Sequence, residues 1–204
     1  MRLRLLAVAF PAVTLIPIAS SVGAVTKLQL ESKALSISNF PTGWSVAKSS
    51  SSGSDTGGCL AGVGRSLGRG DVTAKVAFHD GMAPGLGEGL SEGRDAKDDY
   101  ARANSMIASC KNLSLTLDGT RVTGTIGSMS LPTLGSQTNA YAATLHVQGV
   151  NVGIDYVFFR VGPVVGIIAY EDLGQPVPSS VQAYFVEAVN KIEGKPTVTP
   201  GRRR

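Results

Sequence analysis

The stretch NAYAATLHVQGVNVGIDYVFFRVGPVVGIIAY, Asn139 to Tyr170, decides the fold. It divides into three apolar, β-branched and aromatic runs, Asn139 to Gln148, Val152 to Val161 and Val164 to Tyr170. Gly149 to Asn151 separates the first two runs and Gly162-Pro163 the last two. Connections this short can join only antiparallel neighbours, so the stretch predicts a meander of adjacent strands.

Working outward, the same pattern continues upstream. Ser114 to Asp118 and Arg121 to Ser128 read as two more strands about the turn Asp118-Gly119. DVTAKVAFHD places Val72, Ala74, Val76 and Phe78 on one face at period two. Trp44 to Lys48 alternates as a short strand, whereas GMAPGLGEGL, Gly81 to Leu90, reads as a glycine-rich loop. Two segments are helical instead. From about Ser91 to Ser109, the residues Ala96, Tyr100, Ala103, Ile107 and Cys110 fall on one stripe. Ser179 to Ile192 does the same with Val181, Phe185, Ala188, Val189 and Ile192, and stops before Gly194 and Pro196. The fold class is therefore α+β: an antiparallel sheet of five to six strands packed by two main helices in a single domain.

The ends carry an address. Arg2 and Arg4, an apolar run from Leu5 to about Ile18 and small residues up to Ala24 form the layout of a secretory signal peptide over residues 1–24, cleaved near Ala24. An uncleaved anchor is the alternative, although the run is short and broken by proline. Residues 25–33 are a lead-in, 34–195 the domain, and 196–204 a disordered basic tail. The chain counts 19 basic against 15 acidic residues, but setting aside Arg2, Arg4 and Arg202 to Arg204 leaves a nearly neutral body. That removes the electrostatic basis for nucleic-acid binding. After cleavage the protein is expected to be secreted or held in the cell envelope, and not integral to the membrane.

Cys59 and Cys110 are the only cysteines, and exported thiols in even number usually pair, which predicts one disulfide. GRSLG, Gly64 to Gly68, matches the G-x-S-x-G nucleophile elbow and makes Ser66 the candidate nucleophile of a small exported serine hydrolase. Its context fails, because no strand precedes it, no long helix follows it and no histidine lies late in the chain. SVAK, Ser45 to Lys48, matches S-x-x-K, but an extended segment does not stack serine beneath lysine as that motif requires. RGD at Arg69 to Asp71 and the glycines of GLGEGL lack the settings that give such motifs meaning. His79-Asp80 and Glu171-Asp172 read as solvated strand ends, and two distant histidines supply no recognisable metal set. No catalytic residue, metal or cofactor is assigned. Trp44 and Tyr100 are the aromatics for a cleft or for packing, with packing the expectation for Trp44.

Several short motifs together resemble one family. ALSISNFPTGW, Ala34 to Trp44, is similar to the L-x-x-x-D-L-P-x-G-W opening of actinobacterial exported proteins related to the PknH-like extracellular sensor domain. The helix ending at Cys110, LPTLGSQTNAY, the arginine of VFFRVGPVVGIIAY and the closing helix agree with it. Asn39 and Phe40 stand where that pattern has aspartate and leucine. The resemblance implies an extracytoplasmic domain like a PsbP-like sandwich, with a cleft between sheet and helices for a ligand, and carries no catalytic residue. The function expected is a non-enzymatic sensor-type module that binds a small-molecule or lipid-like ligand or a cell-envelope component. The serine hydrolase and a purely structural envelope protein are the alternatives.

Overall fold

A computed structural model describes residues 26–47, 60, 62–63, 72–117 and 120–197, with the backbone alone at 115–117 and 120–121. The described residues form one eight-stranded sheet and three α-helices. The strands are β1 (Ser45–Val46), β2 (Val72–His79), β3 (Gly85–Glu92), β4 (Asn112–Leu117), β5 (Thr120–Met129), β6 (Gln137–Val147), β7 (Val150–Val161) and β8 (Val164–Leu173). The helices are α1 (Lys27–Lys33), α2 (Ala96–Ala108) and α3 (Pro178–Glu193). The spatial order is β1-β2-β3-β8-β7-β6-β5-β4, antiparallel throughout. The α+β antiparallel reading thus holds, but with eight strands instead of five to six and three helices instead of two.

The meander closes as its turns dictate. Val147 pairs Val150 across Gln148 and Gly149, both at positive φ, the two-residue turn whose twist matches its flanking strands. Val161 pairs Val164 across Gly162, at φ 57, and Pro163. The largest correction concerns GLGEGLSE, which is no loop but β3, paired along all eight residues with both β2 and β8. Since Ser91 and Glu92 belong to that strand, α2 begins at Ala96 and not near Ser91.

The sheet is covered on both faces. Along β7 and β8, Val157, Phe159, Val164, Ile168 and Tyr170 enter one core, with Leu30 of α1 and Val181, Phe185, Ala188 and Val189 of α3. The alternate residues Ile154, Phe158 and Val165 enter a second core, with Ala96, Tyr100, Ala103 and Ile107 of α2. Because successive strand residues point to opposite faces, these cores lie on opposite sides. A strand buried on both faces reads as a continuous apolar run, which is why VFFRV carries no alternation. Both helical stripes read from the sequence are the buried ones, and Gly194 ends α3 in the left-handed conformation at φ 68.

Candidate functional site

The helix-to-sheet seam expected to hold a cleft is filled. On α2, Tyr100 is 3% exposed, Ala103 0% and Ile107 1%, packed on Tyr141, Ala143 and Phe158. The open space lies at the end of the same seam. There the close of β5 and the start of β6 bound a recess of about 230 Å³, lined by Ser128, Ser130, Thr138, Asn139 and Tyr141, with Met129, Leu131 and Ala140.

Two hydrogen bonds tie α2 to this recess. Asn139 and Tyr141 stand two apart on β6, hence on one face, and meet residues one turn apart on α2. Asn139 Nδ2 donates to the Tyr100 hydroxyl at 2.6 Å, and the Tyr141 hydroxyl donates to Asn104 Oδ1 at 2.7 Å. Burial pushes the pKa of both phenols above the usual 10, with the Asn139 hydrogen bond and the Arg160 charge partly opposing this at Tyr100. Both therefore remain neutral. Having accepted from Asn139, Tyr100 keeps its hydroxyl hydrogen to give onward, while Asn139 keeps Oδ1 to accept. Arg160 is held nearby, its Nε donating to Gln137 Oε1 at 2.6 Å and its Nη1 to the Gly162 carbonyl at 2.8 Å. The lining itself carries hydroxyl, amide and phenol groups and no charged side chain. Such a set can grip a polar neutral group from several sides, but holds no acid and base to transfer a proton.

The carboxylates with raised pKa lie elsewhere. Asp155, buried under the start of α3, accepts the Val177 N–H at 2.7 Å, and burial raises its pKa. Glu88 lies beneath α1 and α3. Among the described residues no group of three or more His, Cys, Asp or Glu side chains could hold a metal ion.

The other sequence-singled residues scatter. Trp44, just before β1, packs with Phe40 at 4.7 Å and Tyr184 at 5.7 Å between ring centroids, in the α3-side core. Cys110 lies in the α2-side core, so Trp44 is not beside it. Cys110 is 5% exposed and not a free thiol. Its expected partner Cys59, the whole of GRSLG with Ser66, and RGD lie outside the described residues. Sequence reasoning missed one contact: Ser45 and His79 are direct cross-strand partners, with Ser45 Oγ 3.2 Å from His79 Nε2 and His79 Nδ1 3.0 Å from the Gly81 carbonyl. Ser45 is exposed and His79 half-buried at the strand pair's end, and register alone accounts for their meeting. It also missed the recess. The signal was present as two hydrogen-bonding side chains at alternate positions near the start of β6, Asn139 and Tyr141.

No family model matches this chain, and no curated protein does. Among solved structures, the extracellular domain of PknH from Mycobacterium tuberculosis is similar in fold, with a TM-score of 0.51 at 8% identity over 60% of this chain. The chain spans 64% of the length of that domain. The likeness is one of fold: an extracellular domain shares this sheet and helix arrangement.

Proposed function

We propose that the protein is an extracytoplasmic, non-enzymatic binding module whose ligand seat is the recess between the end of β5 and the start of β6. The observation that carries this reading is the uncharged, hydroxyl- and amide-rich lining, fixed from behind by the Tyr100–Asn139 and Asn104–Tyr141 hydrogen bonds. Its volume is below the roughly 300 Å³ at which pockets for drug-sized molecules begin, so it suits the end of a larger molecule or a small one. A neutral, hydroxyl-bearing group such as the terminus of an envelope glycan fits that chemistry. The fold likeness to an extracellular domain and a Cys110 that is not a free thiol support the extracytoplasmic setting, in which residues 1–24 act as a signal cleaved near Ala24 and Cys59 is the partner of Cys110. No described helix is long and apolar enough to cross a membrane.

Titrating neutral envelope saccharides against the protein should give saturable binding that Ser128→Phe weakens at least tenfold. Ser128 is exposed, so the substitution should leave stability within about 0.5 kcal/mol. Absence of binding across the panel would count against the reading. Binding that ignores Ser128→Phe would place the ligand elsewhere. The same preparation should also stay unlabelled by a fluorophosphonate probe; labelling abolished by Ser66→Ala would instead establish the hydrolase.

A further inference from the structure

The segment Thr26–Asn39 is fastened to the sheet and α3 by an unusual set of groups. α1 opens with a capping box between Thr26 and Gln29 and inserts Leu30 fully into the core. Beyond it, Leu35 N–H donates to Oε2 of Glu88 on β3 at 2.6 Å. The next residues form a 3-10 turn, Ile37–Asn39, in which Asn39 Oδ1 accepts the Ser36 N–H at 2.9 Å. Asn39 Nδ2 donates to Oε1 of Glu187 on α3 at 2.6 Å, and Lys191 Nζ donates to Ser36 Oγ at 3.3 Å. Lys33 and Glu92 form an ion pair of 3.2 Å along the same seam.

Glu88 is 3% exposed, and its Oε1 is buried with no hydrogen-bond partner among the described residues. A buried carboxylate with one unmet oxygen is costly while ionised. We infer that Thr26–Asn39 is a proton-responsive clasp, closed over Glu88 when that carboxyl is protonated and loosened when it ionises.

The surroundings decide the direction. From α3, Lys191 favours the ionised form, and Glu187 accepts from Asn39. From α1, Lys33 is engaged by Glu92, Glu88's neighbour on the same face of β3. From β2, the facing residues are Val72, Ala74, Val76 and Phe78, and from β8, Val164, Ile168 and Tyr170, which bring no charge. Burial outweighs the Leu35 hydrogen bond and the Lys191 charge and pushes Glu88 up to about 7 from 4.5. With the clasp lifted, Glu88 is hydrated and titrates as an ordinary glutamate. The closed state thus binds the proton more tightly. Its advantage is complete below the open-state value and is lost as pH rises through about 7. Opening lifts Phe40, which ends the turn, from Phe78 and Tyr184, whose ring centroids it meets at 4.3 and 4.8 Å.

Native-state hydrogen exchange of the full chain tests this, with rates corrected for intrinsic exchange. Between about pH 5 and pH 8.5 the protection of the Leu35 and Asn39 amides should fall roughly a hundredfold. Amides of β7 should keep theirs. Glu88→Gln retains an acceptor for Leu35 without a titratable group and should abolish the pH dependence. Lys191→Met, which removes the cation favouring ionised Glu88, should move the midpoint to higher pH, and it serves if Glu88→Gln fails to fold. Unaltered pH dependence in Glu88→Gln, an unmoved midpoint in Lys191→Met, or equal loss of protection in β7 would overturn the clasp.

Discussion

Gly166→Val is expected to destabilise the protein by about 3–5 kcal/mol, close to the loss from removing a buried phenylalanine outright. Gly166 on β8 lies directly opposite Phe159 on β7, and the Phe159 ring covers the bare glycine. A Cβ placed there runs into the ring, meeting Cε2 at 2.5 Å. The ring has nowhere to go, because Phe159 is fully buried and packs on Phe185 of α3 at 5.4 Å. Since ~1 kcal/mol moves the midpoint of a protein this size by about 2–4 °C, the melting temperature should fall by roughly 6–20 °C. The pair is also testable as a unit. Phe159→Ala vacates the space that the introduced valine side chain needs, so the double variant should lose clearly less than the sum of the single losses. Additive losses would show that the glycine is needed for some other reason.

That pair illustrates what could be read from the residues and what could not. The hairpins around Gly149 and Gly162 were legible because the chain there has only enough residues to reverse once, and turn chemistry is local. The α2 and α3 stripes were legible for the same reason, as periodicity within one helix needs no partner. β3 was not. Its glycines at 85, 87 and 89 occupy one face, and its other face alternates Leu86 and Leu90 with Glu88 and Glu92, so neither face looks like a strand facing a core. Pairing on both sides imposes the extended conformation there. The glycines leave room for side chains of β8: a Cβ at Gly85 would strike Glu171, and one at Gly89 would press on Ile167.

The buried polar residues were illegible for a related reason. Glu187 shows nothing on α3 to mark it as buried, because its partner Asn39 is 148 residues away in sequence. The same bond explains why asparagine suits this chain at that position. Its amide donates to the Glu187 carboxylate, whereas an aspartate would set two acidic groups against each other. The recess lay between these extremes: its polar residues were visible, but its existence depends on where β5 ends relative to α2. The filled helix-to-sheet seam follows from the length of the α2 stripe, since four buried positions over three turns leave no gap to occupy.

Reduction of the expected Cys59 to Cys110 bridge is the second change expected to act strongly. Such a pairing would close a loop of about 50 residues, for which the chain-entropy relation gives a loss of roughly 4 kcal/mol on opening. Cys110 follows α2 directly and sits in the core with Ile107 and Leu113. Titration of the unreduced protein should find no free thiol, and reduction should lower the melting temperature by about 8–16 °C. Cys59→Ser is the cleaner variant, because Cys110→Ser would also place a hydroxyl in a site only 5% exposed and so mix a packing loss with the lost cross-link. If the entropy account is right, Cys59→Ser and reduction should lower stability by the same amount, and adding reductant to Cys59→Ser should change nothing further. Two titratable thiols in the unreduced protein, or an unchanged melting temperature on reduction, would remove the bridge from the account. The remaining stability would then rest on the two cores alone.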